Sequence, residues 1–120
     1  MDWIKKSMQS AQNMIDNLSL KIICQTDYAK GFIKKQRMSP DAYIQMVLQL
    51  AYYRDAGKFA LTYEASMTRL FLQGRTETVR SLSESSVAFV RAMDSPGVTK
   101  EEKKKLLRRA TAHHQNYYRN

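Results

Sequence analysis

The spacing of apolar residues near the amino terminus predicts an amphipathic helix. From Trp3 to Leu18, apolar residues recur every three or four positions, and lysine, glutamine and asparagine fill the places between them. This period is that of one face of a helix. From Leu18 to Cys24 the apolar residues alternate instead, which favours a short strand with Cys24 buried in the core.

A second helix has a well-marked start and end. Ser39 is suited to cap it, Pro40 fits the first turn because its missing N–H has no intrahelical partner there, and Asp41 is favoured at the positive helix end. The pattern predicts that this helix runs to about Asp55 and stops at Gly57.

The composition of the second helix bears on the size of the whole protein. Its interior is apolar apart from Gln45 and Gln49, so apolar residues occupy nearly every side. Helices of this kind are buried all round. Because 120 residues leave too little material to surround such a helix, the pattern predicts that the chain is a piece of a larger folded body.

Two β-prone runs follow this helix. Residues 59–63 come after a Gly-Lys pair and residues 76–80 come after another glycine, as expected of strands that begin after turns. Between them, residues 65–72 are predicted to form a turn of helix.

The remaining chain predicts two more helices. Either Ser81 or Ser83 is expected to cap the first of them, which ends before the break at residues 95–97, Ser-Pro-Gly. Thr99 and Glu102 have the spacing of a capping box that opens the last helix. The inner face predicted for this last helix consists of Leu106, Ala110, His113 and Tyr117.

Composition and charge narrow the classes of function. An apolar fraction of 43% with 10% aromatic residues excludes a disordered chain. The formal charge of +9 indicates an anionic partner, which on charge alone is a nucleic acid, an acidic membrane surface or a phosphorylated small molecule. No apolar run approaches the roughly 20 residues of a membrane span, the first residues do not form a secretory signal, and a single cysteine excludes an intramolecular disulfide. A soluble chain without a targeting signal is therefore expected.

Catalytic and metal-binding patterns are weak. The two histidines, His113 and His114, are adjacent and diverge by about 100° on a helix, so they cannot both face one metal ion. The favoured interpretation is one half-buried and one solvated histidine. Glu64 and Glu77 are candidates for an acid and base pair, but nothing fixes their separation, and pairing with nearby arginines is favoured. The residues alone therefore predict no catalytic site and no metal site.

Clustered basic residues are better candidates for binding. Lys30 and Lys34 are spaced i, i+4 and precede the capped helix start, an arrangement suited to phosphate. A solvated basic face is the alternative. There is no Gly-rich loop with a trailing Lys-Ser/Thr, so a nucleoside triphosphate site is not supported. The run KKKLLRR at residues 103–109 resembles a patch for nucleic acid or membrane, but a solvated helix face is favoured because no aromatic residues are interleaved.

Longer strings resemble a known family. Residues 39–81, SPDAYIQMVLQLAYYRDAGKFALTYEASMTRLFLQGRTETVRS, resemble the signature of the carnitine/choline acyltransferases. The flanking strings YAKGFIKKQ, FVRAM and HHQNYYR fit as well, so the resemblance covers essentially all of residues 1–120. The strings GKFALTYEASMTRLF and GRTETVRS are most similar to the long-chain enzymes of the outer mitochondrial membrane. The resemblance implies an α/β fold, of which residues 1–120 are a helix-rich fragment from the carboxyl-terminal half of a two-domain, coenzyme A-dependent enzyme.

The resemblance also implies substrates and binding residues. Such enzymes transfer an acyl group between coenzyme A and carnitine, with coenzyme A as a substrate and no tightly bound cofactor. The expected partners are acyl-CoA, carnitine and the remainder of the acyltransferase chain, with no nucleic acid. The residues implied for coenzyme A are Lys30, Lys34 and Lys35 at its phosphates, and Asp41 and Glu64 near its adenine and ribose end; those implied for the carnitine carboxylate are Tyr63 and Thr76.

The family's catalytic histidine lies upstream of the region that this chain resembles, and neither His113 nor His114 matches it. The isolated chain is therefore expected to be inactive, because it lacks a general base for the transfer. A mitochondrial location is implied by the resemblance alone. Two alternatives remain open at this point: a truncated, catalytically dead module that binds coenzyme A or a partner, and non-specific binding of nucleic acid through the +9 charge.

Overall fold

The computed structural model of the chain describes residues 2–68 and 71–119. Those residues form a helix-rich structure with one antiparallel pair of short strands, in which Ala65 lies opposite Thr78. This agrees with the expected helix-rich fragment. The elements are α1 (Asp2–Asp16), α2 (Lys30–Lys35), α3 (Pro40–Ala56), β1 (Glu64–Ser66), β2 (Glu77–Val79), α4 (Glu84–Met93) and α5 (Lys100–Arg119).

The predicted first helix is confirmed as α1, but the strand predicted after it is wrong. Residues 18–26 have no regular secondary structure, and Cys24 is exposed rather than buried. Strands need a neighbour to accept and donate their backbone hydrogen bonds. The sheet in the described part of the chain consists of β1 and β2 alone, so the alternating pattern has no partner there.

The ends of α3 are those predicted. The backbone N–H of Ala42 donates a hydrogen bond to the Ser39 hydroxyl at 3.4 Å, and Pro40 occupies the first turn. At the other end, Gly57 adopts the left-handed conformation with φ of 67° and donates its N–H to the Tyr53 carbonyl at 2.9 Å. Glycine suits this position because it has no Cβ to strain in that region.

The burial of α3 is confined to one side of the helix. Its buried residues are Ala42, Met46 and Gln49, whereas Ile44 is 52% exposed and Leu48 is 54% exposed. The 120 residues therefore cover only one side of α3, as expected if they are too few to surround this helix; that further chain covers the other side stays a prediction. Helices α4 and α5 cover one stripe of α3, and a second apolar face stays open to solvent.

The core lies where α3, α4 and α5 meet. Four buried side chains form its centre, and partly buried apolar residues of the same helices, together with Phe59, pack around them. An ion pair between Arg54 and Asp94, 2.6 Å long, joins the carboxyl-terminal ends of α3 and α4. Its exposure limits its contribution to stability. The central residues are Met46, Phe89, Val90 and Ala110.

The two strands predicted after α3 are confirmed only in part. Residues 77–79 form β2 as expected, but residues 59–63 are not a strand, and β1 begins at Glu64. The described part of residues 65–72 contains no helix. Phe59 of this segment packs against the core instead and stacks on Tyr53, with ring centroids 4.5 Å apart.

The last two helices begin at predicted caps, but the buried face of α5 differs from the prediction. Ser83 caps α4, and the Thr99 hydroxyl accepts a hydrogen bond from the Glu102 N–H at 3.2 Å. The buried face of α5 includes Ala110 and His114, whereas His113 is exposed. No helix in the described ranges is both long and apolar enough to cross a bilayer.

Replacement of Phe89 tests the position of the core. Phe89→Ala removes a ring that is 4% exposed and is expected to lower the free energy of unfolding by about 3–5 kcal/mol, measured by urea titration. Phe71→Ala is the matched control, because Phe71 is 70% exposed, and its effect should stay within about 0.5 kcal/mol. Equal effects of the two substitutions would contradict the assignment of the core.

Candidate functional site

Three titratable side chains from distant parts of the chain meet between α3, β1 and α5. Asp41 comes from the first turn of α3, Glu64 from the start of β1, and His114 from the second half of α5. The Nε2 atom of His114 lies 3.2 Å from Glu64 Oε2 and 3.9 Å from Asp41 Oδ2. We refer to Asp41, Glu64 and His114 as the carboxylate–histidine cluster.

The strands β1 and β2 form a hairpin, and the two glutamines of α3 hold this hairpin in the position that forms the cluster. The Gln49 side chain donates to the Thr62 hydroxyl at 3.1 Å, and the Ser81 hydroxyl donates to Gln45 Oε1 at 3.0 Å. The Leu82 N–H also donates to the Thr62 hydroxyl at 3.2 Å. These bonds fix both ends of the hairpin on α3. The interior polar residues of an otherwise apolar helix thus set the position of β1.

The direction of the Glu64 side chain follows from the alternation of a strand. Successive residues of a strand point to opposite faces, and along residues 63–67 exposed and partly buried residues alternate, with Glu64 on the buried side. Tyr63 is therefore on the outer face. The hairpin thus directs Glu64 towards α3 and α5, and Tyr63 towards solvent.

The protonation of the cluster is governed by burial and by like charge. Burial raises the pKa of Glu64, and the adjacent Asp41 carboxylate raises it further. Burial lowers the pKa of His114, while the Asp41 charge opposes that change. Among the described groups, neither ring nitrogen of His114 nor Glu64 Oε2 has a well-aligned hydrogen-bond partner, despite the 3.2 Å approach. The arrangement is chemically suited to holding one proton between carboxyl and imidazole.

The cluster also contains the donor types of a metal site. Its three donor atoms lie within 4.8 Å of one another, but neighbouring carboxyl and imidazole groups are common in proteins without an ion, and this spacing alone assigns no metal. Among the described residues no ion pair joins Glu64 to an arginine. Arg69 lies outside the described residues, so the predicted pairing with a nearby arginine stays a prediction.

The lysines implied for coenzyme A lie on α2, next to the start of α3. Lys30 and Lys34 are exposed and one turn apart, and Lys35 is exposed in the last turn. Helix α2 is held by the buried Ile33. The segment before α2 is held by a 3.2 Å hydrogen bond between the hydroxyls of Tyr28 and Tyr43, and burial together with this bond raises the pKa of Tyr43 to about 12.

The residues implied for carnitine, Tyr63 and Thr76, are exposed at the outer side of the hairpin. Continuing the register of Glu64 opposite Val79 separates them by four residue steps along the strands, or roughly 13 Å. Within residues 2–68 and 71–119, no hydrogen bond or ion pair joins either of them to the α2 lysines. The structure therefore brings Asp41 and Glu64 together, but no described contact joins the residues implied for carnitine to the lysines implied for coenzyme A.

The basic run at residues 103–109 forms one wall of an open cleft beside α2. The cleft has a volume of about 400 Å³. Leu106 and Leu107 point to the core, whereas Lys104 forms an exposed 2.8 Å ion pair with Glu101. This arrangement is the solvated helix face that the sequence favours. The residues that line the cleft are Gln36, Glu101, Lys104, Lys105 and Arg108.

His114 is the site residue that the sequence analysis missed. The predicted inner face of α5 contained His113, one position away. A stripe of Leu107, Ala110 and His114, spaced i, i+3 and i+7, would have indicated the correct face. Two of these residues, Ala110 and His114, are buried, and Leu107 packs against the core.

Comparison with known proteins gives a match over the whole chain. The family model for choline/carnitine O-acyltransferases matches residues 1–120. The chain is 52% identical over 116 residues, or 97% of its length, to rat (Rattus norvegicus) carnitine O-palmitoyltransferase 1, muscle isoform, and 50% identical over 116 residues to the human (Homo sapiens) liver isoform. It is 45% identical over 114 residues, or 95% of its length, to human carnitine O-acetyltransferase.

These matches cover only part of the relatives. The chain spans 15% of the two palmitoyltransferases and 18% of the acetyltransferase. The matched regions nevertheless include at least 95% of the chain. The chain belongs to the choline/carnitine O-acyltransferase family.

Proposed function

We propose that the chain is part of a carnitine O-acyltransferase that transfers a long-chain acyl group between coenzyme A and carnitine. The family match and the names of its relatives support the reaction class. Higher identity to the palmitoyltransferases than to the acetyltransferase, 52% against 45%, supports the long chain. In this proposal the 120 residues contribute to the coenzyme A phosphate site and to the carnitine carboxylate site.

The observation that carries the proposal is the exposed pair Lys30 and Lys34, one helical turn apart beside the capped start of α3. The 3′-phosphate of coenzyme A is a compact dianion near neutral pH, and two ammonium groups on one helical face can neutralise it. Lys35 adds charge next to them. Asp41 and Glu64 then lie at the adenine and ribose end, where carboxyl groups can accept hydrogen bonds from amino and hydroxyl groups.

The outer face of the hairpin provides the proposed carnitine contacts. The hydroxyls of Tyr63 and Thr76 are exposed there, and each can donate a hydrogen bond to a carboxylate. Their separation along the hairpin means that they approach the carboxylate from different positions. Because successive strand residues point to opposite faces, the hairpin directs its proposed contacts for the two substrates to opposite sides.

Open apolar faces support the proposal that further acyltransferase chain covers these residues. The outer side of α3 exposes Ile44 and Leu48, and α1 exposes Trp3 and Ile15. Contiguous apolar surface of this kind marks an interaction site. In this proposal the remainder of a two-domain acyltransferase packs there, at the outer mitochondrial membrane as in the long-chain branch that the sequence resembles.

The lysine pair is tested with coenzyme A and its 3′-dephospho form. The double substitution Lys30→Ala, Lys34→Ala is expected to weaken coenzyme A binding about tenfold by calorimetry, because it removes a charge interaction of about 1.4 kcal/mol at an exposed site. Binding of dephospho-coenzyme A should change little. Lys58→Ala is the matched control, since Lys58 is exposed beyond the opposite end of α3. Equal affinity of the unsubstituted chain for both nucleotides would contradict the phosphate contact.

The carnitine contacts are tested by removing one hydroxyl at a time. Tyr63→Phe and Thr76→Val are each expected to weaken carnitine binding about tenfold, measured by NMR titration in saturating coenzyme A, because each loses a hydrogen bond to a charged group. Tyr52→Phe is the control, since Tyr52 is exposed on α3. Unchanged carnitine affinity in both variants would exclude these hydroxyls from the site.

The isolated 120 residues are expected to catalyse no transfer. Their two histidines both lie on α5, where His114 is buried against carboxyl groups and His113 is exposed. Neither is matched to the family's general base, which would take the proton of the carnitine hydroxyl. Carnitine-dependent release of free thiol from palmitoyl-CoA by the purified chain would contradict this expectation.

A further inference from the structure

His114 occupies a position in which a neutral, unpaired imidazole is unfavourable. Its side chain is 3% exposed, and burying a polar group without a hydrogen bond carries a cost. Neither ring nitrogen has a well-aligned partner in the described part of the chain, yet Nε2 is directed at Glu64 and Asp41, at 3.2 and 3.9 Å. Burial of His114 therefore lowers the stability of the fold unless the imidazole interacts with these carboxyl groups.

Those neighbours present a problem of like charge. Asp41 and Glu64 are adjacent carboxyl groups, and two carboxylates that share a site cannot both ionise freely. The titratable groups that face the imidazole are Asp41 from α3, Glu64 from β1 and the neighbouring His113 on α5 itself. The Ser81 hydroxyl is also close enough to interact with Glu64. One additional proton in this group would relieve the repulsion.

We propose that His114 is a positioning residue, which shares one proton with Glu64 and thereby fixes the orientation of the Asp41–Glu64 carboxyl pair for coenzyme A. This inference rests on the proposed function, because that function assigns the two carboxyl groups to the adenine and ribose end. It extends the site to α5, which no contact implied by the resemblance includes. The final helix thus supports the nucleotide site through one side chain.

The proton shift is balanced within the cluster. In one state Glu64 is a neutral acid and donates its proton from Oε2 to Nε2 of the neutral imidazole. In the other state the proton is on Nε2, and the imidazolium donates to the Glu64 carboxylate. The proton stays within the Glu64–His114 pair, so the net charge of these two groups is zero in either state. Both states keep Glu64 oriented towards α5, which leaves its other oxygen for the nucleotide.

The first test measures the proton directly. In ¹⁵N-labelled chain, the ring resonances of His113 and His114 are followed against pH, with and without Glu64→Gln. The substitution removes the negative partner, so the midpoint of His114 is expected to move to lower pH, corresponding to at least a threefold loss of proton affinity. His113 is exposed and serves as an internal control that should not move. An unchanged His114 midpoint would overturn the proposal.

The second test separates positioning from packing. His114→Gln retains a polar group near the place of Nε2, whereas His114→Leu keeps most of the volume and removes the hydrogen-bonding group. Coenzyme A affinity is expected to stay within threefold for Gln and to fall about tenfold for Leu, while both variants keep a helical circular dichroism spectrum. His113→Gln is the matched control on the same helix. Equal losses for Gln and Leu, or no loss for Leu, would overturn the positioning role.

The two tests also distinguish this inference from the proposed function. If the unsubstituted chain binds no coenzyme A, the proposed nucleotide site fails, and the NMR titration of His114 against Glu64→Gln still decides whether the two residues share a proton. The other case is that coenzyme A binds and the lysine variants behave as expected, while Glu64→Gln leaves the pH midpoint of the His114 resonances unchanged. In that case only the positioning role fails.

Discussion

The arrangement of this protein depends on the hydrogen bonds that attach the hairpin to α3. Gln49 donates to Thr62, and Ser81 donates to Gln45, so each end of the β1–β2 unit is tied to the same helix. A buried hydrogen bond adds only about 1 kcal/mol to stability, but leaving one partner unsatisfied costs more. The bonds therefore act mainly by excluding other positions of the hairpin. Without them a two-stranded hairpin has little independent stability.

Two consequences follow from this attachment. The first is that Glu64 faces α3 and α5 while Tyr63 faces solvent, because a strand alternates its side chains. The second is that the inner face of the hairpin reaches the amino-terminal end of α3, where Asp41 lies. Packing of α5 against α3 and α4 then brings His114 to the same place. Three residues separated by 23 and 50 positions thus become one cluster.

This architecture leaves apolar surfaces of α1 and α3 exposed to solvent. Helices α4 and α5 cover only the stripe of α3 that contains Met46, and α1 has no buried residue. A protein stable by itself rarely leaves such surfaces uncovered. The chain spans 15–18% of its relatives, and further acyltransferase chain, as proposed above, would bury these faces.

Sequence alone determined the local features of this protein. The cap at Ser39, the stop at Gly57 and the i, i+4 pair Lys30 and Lys34 were predictable, because each depends on residues within a few positions of one another. The cap of α4 was narrowed to Ser81 or Ser83, and the structure selects Ser83. The family was also recognisable from contiguous strings. Tertiary structure decided what depends on distant partners. The alternating segment that ends at Cys24 forms no strand because no strand lies beside it in the described structure. The rotation of α5 turns His114 inward because α3 and α4 select its apolar stripe, and a one-residue difference on a helix is a turn of about 100°.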